Sequence, residues 1–401
     1  MYKAFRYRIY PNNSQKELIH KHCGNVRFVY NLALETKTMA YMGNKVSLSR
    51  YDLQKQMVDL KKELPWLKET NSQSLQVALL NLDTAYSNFF KGKADFPQFK
   101  KKSNSGSFNV PQNVIVSGDK LIIPKFKEGI KIKLHRNLIG ELKQCAVSFT
   151  STGKYFVSIL CETSEECLTK LPITENNSIG IDLGIKDFLV TSDGEVVSNP
   201  KFLRNSMNRL KVLQRRASKK QKGSANRGKA NLKVALKHEK VRNQRQDFLH
   251  KVSSRLISEN QTICFENLAV SNMIKNHCLA QAISDVSWAD FNRMIEYKAE
   301  WHGVNILRIG RFAPSSKTCS CGSINKELKL SDRVWECKSC GKVNERDLLA
   351  AQNIKKFALY KENSGQELSV EPVEMSALVE SMKQEAYPIA SGVGGQFTLN
   401  I

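Results

Sequence analysis

The sequence has no apolar run long enough to cross a lipid bilayer, which takes about twenty consecutive apolar residues. It also lacks a sustained basic helix with an aromatic face that could lie on a membrane surface. Residues 1–13 (MYKAFRYRIYPNN) contain scattered basic residues and no apolar core, so they are not a secretory signal. These absences predict a cytoplasmic protein with no membrane partner.

Acidic residues are also scarce relative to basic ones. The chain of 401 residues carries 38 Asp and Glu against 62 Lys and Arg, a formal net charge of +24. A charge of magnitude about 2–8 is enough to keep a small domain soluble. The larger surplus favours a polyanionic partner, because each phosphate that a basic side chain neutralises releases condensed counterions. The composition therefore predicts a nucleic-acid-binding protein.

Six of the ten cysteines have no second cysteine close by in the sequence: Cys23, Cys145, Cys161, Cys167, Cys264 and Cys278. A reducing compartment would keep these six as thiols. The other four form two close pairs, Cys319 with Cys321 and Cys337 with Cys340. Four thiolates at this spacing predict a tetrahedral structural Zn²⁺ site. The alternative is a degenerate site that folds without metal.

The first part of the chain changes hydrophobic period twice. Residues 1–10 alternate between apolar and polar positions, which predicts a strand. Residues 11–102 have apolar residues at helical spacing, with Ser14 and Glu17 as the capping box of the first helix. Residues 103–174 alternate again, which predicts an antiparallel barrel that takes in the first strand. The helical module is then an insertion into this barrel.

The second part of the chain has an α/β pattern. Residues 175–318 and 341–360 alternate apolar strands with longer helices and are predicted to form one domain. The cysteine-rich segment 319–340 interrupts that domain as a small insertion. Residues 361–401 are rich in Glu and end in a Gly-rich run, which predicts a disordered tail.

Three acidic residues stand at the ends of apolar segments. The segments IGIDLG (179–184) and ICFENL (263–268) each place an acid, Asp182 or Glu266, at the end of a strand. The segment ERDLLAAQNI places Asp347 at the start of a helix. Carboxylates suit hard cations such as Mg²⁺ and Mn²⁺, and a pair of ions ~4 Å apart can promote phosphodiester hydrolysis. Singly, the three could instead be a turn acid, an exposed strand end and a helix cap.

A long basic stretch lies between the first two acids. Residues 201–258 contain eighteen Lys or Arg and only two acids, Glu239 and Asp247. This imbalance predicts a groove that contacts phosphates without reading bases, with a solvated helical hairpin as the alternative. The candidate contacts are Arg209, Arg215, Arg216, Lys219, Lys220 and Lys222. A second basic run, residues 91–102, is interleaved with phenylalanines that we expect to be core anchors.

The motifs together resemble the TnpB family, the transposon-encoded relatives of type V CRISPR effectors. The matching segments, in order, are IGIDLGIKDFLVTSDG, ICFENL, SWADFNRMIEYKAEWHG, VNILRIGRFAPSSKTCS and ERDLLAAQNI. The resemblance runs from the first strand to about residue 360. It implies a RuvC/RNase H-like α/β core, an all-β barrel as wedge domain, a helical recognition module and a zinc-ribbon-like insertion.

The resemblance also implies which residues act and with what. The family's three RuvC catalytic acids correspond to Asp182, Glu266 and Asp347, with Mg²⁺ or Mn²⁺ as cofactor. The implied partners are a guide RNA and double-stranded target DNA, in the prokaryotic cytoplasm or nucleoid. The helical module and barrel of relatives grip the guide and a short DNA motif beside the target. Polar candidates for reading that motif are Tyr51, Gln73 and Gln76.

The chain departs from the family pattern at three places. Leu349 stands where the family often has Asn, and Asn344-Glu345 where it often has His-Asp. One residue, Ser320, separates the first two cysteines where the family has two. A one-residue spacer is expected to strain the turn that aims backbone N–H groups at the sulfurs.

The resemblance implies an RNA-guided DNA endonuclease of a transposable element, with one metal-dependent RuvC site that cuts both strands. Two alternatives come from other classes. One is a guided DNA-binding repressor that does not cut, and the intact acids count against it. The other is a transposase that joins DNA ends without any RNA.

Overall fold

The computed structural model describes residues 1–164, 168–329 and 331–364, which fall into two units, Met1–Glu166 and Cys167–Ile401. Cys167 and residues 365–401, most of the predicted tail, lie outside the described residues. Within the described ranges, no helix is both long and apolar enough to cross a membrane.

A seven-stranded antiparallel sheet forms the β-structure of the first unit. Its strands are β1 (Tyr2–Tyr10), β2 (Gly106–Val110), β3 (Ile115–Ser117), β4 (Lys120–Ile123), β5 (Phe126–Lys133), β6 (Glu141–Phe149) and β7 (Tyr155–Glu162). The order is β2-β6-β7-β1-β5-β4-β3, so the first strand of the chain lies in the middle. Alternate residues of β1, Phe5, Tyr7 and Ile9, are buried, as the period of two requires. No pairing joins the edges β2 and β3 in the described residues, so closure into a barrel stays a prediction.

Three α-helices lie between β1 and β2: α1 (Asn13–Asn44), α2 (Arg50–Glu63) and α3 (Ser72–Phe90), with a 3-10 helix at Pro65–Glu69. The predicted capping box of α1 is wrong by two residues. Asn12, not Ser14, accepts the hydrogen bond from the backbone N–H of Gln15, and the Gln15 side chain accepts one from the Asn12 N–H. Pro11 ends the strand directly before Asn12, so the helix begins as early as the backbone allows.

The phenylalanines around the second basic run are not core anchors. Phe90, Phe96 and Phe99 are exposed, with Phe90 at 78%. Phe96 packs edge-on against Phe89 and Tyr86, with ring centroids 5.4 and 5.6 Å apart. The aromatic spacing in the sequence therefore produces a surface cluster at the end of α3.

A five-stranded mixed sheet forms the centre of the second unit. Its strands are β8 (Ser178–Leu183), β9 (Asp187–Thr191), β10 (Val196–Ser198), β11 (Thr262–Glu266) and β12 (Asn305–Ile309), in the order β10-β9-β8-β11-β12. The first three are antiparallel neighbours along the chain. The strands β8, β11 and β12 are parallel, so their carboxyl ends meet at one edge. Helices connect the parallel strands, as such crossovers require.

In the described residues of the second unit, the helices are α4 (Phe202–Ser218), α5 (Ala225–Glu259), α6 (Val270–Met273), α7 (Ala280–Val286), α8 (Trp288–His302) and α9 (Arg346–Ser364). The hairpin of α4 and α5 occupies the basic stretch, and the buried side of α5 packs on α8. The helix α9 packs on β8, β11 and β12 and continues four residues beyond the predicted end at 360. A two-stranded hairpin, β13 (Val334–Glu336) and β14 (Val343–Glu345), leads into it.

Candidate functional site

Two of the predicted acids lie side by side at one edge of the mixed sheet. Phe265 of β11 pairs with Ile181 of β8, so the next residues along the two parallel strands are Glu266 and Asp182. Neighbouring strands in a sheet are about 4.8 Å apart. Both carboxylates are half-buried at this edge. The structure therefore brings together two acids that are 84 positions apart in the sequence (182 and 266).

The third acid reaches the same edge because α9 lies directly on β8. A Cβ atom at Gly180 would lie 2.1 Å from the Ala351 carbonyl oxygen, so only glycine permits this approach. Asp347 is one helical turn before Ala351, and Asp182 is two residues after Gly180. The contact between strand and helix therefore sets the distance between these two acids.

Burial and like charge act together on Asp182. Burial, followed by the negative charges of Glu266 and Asp347, raises the pKa of Asp182 well above its ordinary value. The positive charges of Arg346 and Arg333 lower the pKa of Asp182 and oppose this effect. Burial also raises the pKa of Glu266, against a hydrogen bond from Ser315 that lowers it. Burial is thus the main reason why the pKa of both carboxyl groups is raised, and the neighbouring acids add to it at Asp182.

Two arginines hold Asp347. Arg333 Nη1 donates to Asp347 Oδ2 at 2.8 Å, and Arg346 Nε donates to Asp347 Oδ1 at 3.0 Å. Arg333 lies at the start of the β13–β14 hairpin, and its carbonyl accepts from the Arg346 backbone N–H at 2.8 Å. Each oxygen of the carboxylate therefore has its own charged partner, which fixes its orientation at the start of α9.

The four predicted cysteine ligands converge. The sulfur atoms of Cys319, Cys321, Cys337 and Cys340 all lie within 4.8 Å of one another. The Cys319–Cys340 and Cys321–Cys337 sulfurs are 3.7 Å apart. A tetrahedron of sulfurs about 2.3 Å from a central Zn²⁺ has edges of about 3.8 Å. The cluster therefore has the size and donor type of a zinc site.

The one-residue spacer between the first two cysteines does not prevent this geometry. A hydrogen bond from the Cys321 backbone N–H lowers the pKa of the Cys319 thiol to about 6. Gly322, with φ of 88°, turns the chain directly after Cys321. A backbone N–H group thus still reaches the Cys319 sulfur across the one-residue spacer, and the expected strain of the turn stays a prediction.

Two of the departures from the family pattern support the cysteine cluster. Leu349 is buried against Cys319, Leu328, Trp335 and Cys337. Asn344 is also buried, and its Nδ2 donates to Cys319 Sγ at 3.6 Å. An apolar side chain on α9 and an amide on β14 thus connect the cluster to the start of the helix that carries Asp347.

The two clusters have different donor chemistry. The cysteines are the one group of three or more metal-ligating side chains gathered within 4.8 Å in the described ranges. The acids at the edge of the mixed sheet offer carboxylate oxygens instead. Their oxygen atoms suit Mg²⁺ or Mn²⁺, whereas thiolates suit Zn²⁺.

The six basic candidates for phosphate contact, Arg209, Arg215, Arg216, Lys219, Lys220 and Lys222, all have exposed side chains. They lie on α4, or between α4 and α5. Three residues of α4 are buried: Ser206, Leu210 and Ala217. The helix therefore presents a basic surface to solvent.

Asp285 of α7 fixes the start of α4. Its carboxylate oxygens accept from the backbone N–H groups of Leu203 and Arg204 at 3.0 and 3.2 Å. They also accept from Arg245 of α5 at 3.0 Å. Since the helix has no capping side chain of its own, a residue 82 positions from Leu203 supplies the cap.

Replacing Asp285 by Ala is expected to lower the free energy of unfolding of the second unit by about 2–4 kcal/mol. The change removes the cap of α4 and leaves Arg245, 20% exposed, without its carboxylate. Urea unfolding followed by circular dichroism measures the difference. Asp247→Ala is the control, because the Asp247–Lys251 pair is exposed and contributes about 0.5 kcal/mol or less. Equal effects of the two changes would contradict the assignment.

The three candidates for reading a DNA motif have different surroundings. Tyr51 is 64% exposed, with the Arg50 guanidinium 4.9 Å from its ring centroid. Gln76 is exposed. Gln73 is half-buried, and its amide nitrogen donates to Gln112 Oε1 at 2.8 Å. Their role in motif reading remains a prediction.

Sequence reasoning missed four residues that contact the acids or their neighbours: Ser315, Arg333, Arg346 and Asn353. Arg346 directly precedes Asp347, so the sequence alone already places an arginine beside this acid. Ser315 lies in the segment FAPSSKTCS, and its hydroxyl donates to Glu266 Oε1 at 2.7 Å. Nothing in the sequence indicates that pairing, because 49 positions separate the two residues.

Comparison with known proteins places the chain in a family. Residues 158–277 match a family model described as a probable transposase, residues 288–354 a Cas12f1-like TNB domain, and residues 1–45 a helix-turn-helix domain. In fold, the chain resembles a Cas12f1 chain from a cryo-EM structure of the Cas12f1-sgRNA-target DNA complex. The TM-score is 0.54 at 12% identity, over 88% of this chain and 98% of that one.

Relatives extend the match over the whole chain. A Streptomyces pristinaespiralis protein provisionally named as an RNA-guided DNA endonuclease is 38% identical, over 98% of both chains. The similarly named InsQ of Escherichia coli K12 is 30% identical, over 88% of this chain and 91% of its own. The TnpB-like protein L770 of Acanthamoeba polyphaga mimivirus is 25% identical, over 88% of this chain and 72% of its own. The chain belongs to the TnpB family.

Proposed function

We propose that the chain is an RNA-guided DNA endonuclease of a transposable element, which hydrolyses phosphodiester bonds at a single RuvC site. The observation that carries the proposal is the meeting of Asp182, Glu266 and Asp347 at one edge of the mixed sheet. The names of the relatives support the reaction, and the Cas12f1 complex with sgRNA and target DNA supports the partners.

The residues at the sheet edge fit a pair of divalent cations. Asp182, Glu266 and Asp347 would hold Mg²⁺ or Mn²⁺, because carboxylate oxygens are hard ligands and the two arginines at Asp347 offset only two of the three negative charges. When bound, such ions activate water and stabilise the charge on the leaving oxygen. Arg333 and Arg346 orient Asp347, while burial at the sheet edge strengthens every charge interaction there.

The rest of the chain would hold the nucleic acids. In this proposal the mixed sheet is the RuvC/RNase H-like core, the seven-stranded sheet is the wedge barrel, and α1–α3 form the recognition module. The exposed basic side chains of α4 would contact phosphates, while base pairing with the guide supplies sequence specificity. The cysteine cluster would hold Zn²⁺ as a structural ion beside the nuclease core.

The decisive test is Asp182→Asn in the protein assembled with its guide RNA. We expect cleavage of matched DNA to fall at least ~100-fold, because the amide removes a negative charge that the cations require. Asp193→Asn, in the exposed turn after β9, is the matched control and should cleave like wild type. Rates are measured with Mg²⁺, with Mn²⁺ and with chelator.

The alternatives give different results in the same assay. Target binding without metal-dependent cleavage by the wild type would indicate a guided repressor. Joined DNA ends in a reaction that contains no RNA would indicate a strand-joining transposase. Undiminished cleavage by Asp182→Asn would show that the assigned site is wrong.

A further inference from the structure

A buried hydrogen-bond network lies behind the carboxylate of Glu266. Ser315 is 5% exposed, and its hydroxyl donates to Glu266 Oε1 at 2.7 Å. The Ser315 carbonyl accepts from Asn353 Nδ2 of α9 at 2.7 Å, and the Thr318 carbonyl accepts from the same nitrogen at 2.6 Å. The network therefore connects α9 to the carboxylate at the end of β11.

The side-chain amide of Asn353 can take only one orientation in this network. Its side chain is 5% exposed, and both hydrogens of its amide nitrogen point to backbone carbonyl oxygens. Since only the NH₂ side of the amide can donate, its orientation is unambiguous. The two bonds clamp the turn at 315–318, which begins at Pro314 and is closed by the Thr318 hydroxyl on the Pro314 carbonyl at 2.8 Å.

This turn carries the Ser315 hydroxyl, which fixes one carboxylate oxygen of Glu266. A hydroxyl that donates to Oε1 limits rotation of the carboxylate about its last bond, so Oε2 keeps a constant direction. In the described part of the chain, Ser315 is the hydrogen-bond donor to this carboxylate. Hydrogen bonds to a ligating carboxylate typically change metal affinity or activity by about 10- to 100-fold.

We infer that Ser315 and Asn353 are positioning residues that orient Glu266 for divalent-cation binding. Ser315 acts on the carboxylate directly, and Asn353 acts through the turn that carries Ser315. The inference rests on the proposed function, since it assigns Glu266 to the cation site. It adds a contribution from α9 that is separate from Asp347.

The test measures Mn²⁺ binding to the full chain freed of nucleic acid, by titration calorimetry, beside the Mn²⁺ dependence of guided cleavage. Ser315→Ala should weaken Mn²⁺ binding about 10- to 100-fold and raise the Mn²⁺ concentration for half-maximal cleavage by a similar factor. At saturating Mn²⁺ most of the rate should return. Ser315→Thr keeps the hydroxyl and should remain within about threefold of wild type.

Two further variants separate orientation from folding. Ser316→Ala removes the neighbouring hydroxyl, which makes no hydrogen bond to Glu266 in the described residues, and should bind Mn²⁺ like wild type. Asn353→Asp replaces the two donors with an oxygen facing two carbonyl oxygens, so it should weaken Mn²⁺ binding at least as much as Ser315→Ala. Thermal unfolding shows whether each variant is folded.

The outcomes distinguish the inference from the proposed function. If wild type cleaves and Ser315→Ala matches it in both Mn²⁺ measurements, the inference is overturned and the proposed function stands. If wild type binds Mn²⁺ but never cleaves, and Ser315→Ala weakens that binding, the positioning role is supported and the proposed nuclease function fails. If wild type binds no Mn²⁺, both are overturned.

Discussion

Replacing Gly180 by Ala is expected to lower guided DNA cleavage by about 100-fold or more, although every proposed catalytic acid remains. The added Cβ would lie 2.1 Å from the Ala351 carbonyl oxygen and 2.9 Å from the Lys355 backbone nitrogen. Backbone atoms cannot rotate away, so α9 must shift from β8. A displacement of about 1 Å at a reacting centre can cost about 100-fold in rate.

The effect depends on which acid moves. Asp347 is carried by α9, whereas Asp182 and Glu266 are carried by the strands beneath it. A shift of the helix therefore changes the distance between Asp347 and the other two acids and leaves their own spacing intact. We expect Mn²⁺ binding to weaken in the same variant, because the three carboxylates no longer converge.

Gly228→Ala is the matched control for this change. Gly228 lies within α5, and an added Cβ meets nothing within 4 Å. Alanine there should stabilise the helix by about 1 kcal/mol and leave cleavage unchanged. Cleavage rates and melting temperatures are compared for both variants. Wild-type cleavage by a folded Gly180→Ala protein would contradict the proposed role of this contact.

Replacing Cys337 by Ser is expected to remove the bound zinc and lower both the melting temperature and the cleavage rate. Cys337 is buried beside Cys319, and its sulfur is 3.7 Å from that of Cys321. The segment around these cysteines is too small for a large core, so the metal supplies much of its folding free energy. A hydroxyl is a poorer zinc ligand than a thiolate.

Loss of the zinc should also disturb the nuclease site, because two residues connect the cysteine cluster to Asp347 and to α9. Arg333, which holds Asp347 Oδ2, lies between the two cysteine pairs, and Leu349 of α9 packs on Cys319 and Cys337. Unfolding of this segment would release Asp347 from Arg333 and expose Leu349. We therefore expect cleavage to fall by about 10-fold or more, with a melting temperature several degrees lower.

Cys278→Ser controls for the loss of a thiol. Cys278 is half-buried and lies outside the cluster. Zinc content is measured by elemental analysis and should be one ion per chain for wild type and Cys278→Ser, and close to none for Cys337→Ser. One zinc per chain in Cys337→Ser, with unchanged melting, would overturn the zinc assignment.

The local sequence was sufficient to predict the strands and the helix that carry the three acids. The apolar segments before Asp182 and Glu266 are the strands β8 and β11, and Asp347 lies in the first turn of α9. The cysteine spacing also predicted a convergent cluster. These features are local, because hydrophobic period and ligand spacing are properties of short segments. The capping box predicted at Ser14 was wrong by two residues, because Asn12 caps the helix.

The sequence by itself thus determined the strands and the helix that carry the three acids, and the paired cysteines. Four contacts were decided by the tertiary structure alone. Gly180 allows α9 to lie directly on β8, and Asp285 caps α4. Ser315 binds Glu266, and Arg333 binds Asp347. Each of these contacts joins segments 14 to 171 positions apart along the chain. No periodic pattern encodes such pairs, because they form only when separate elements pack at a particular distance and register.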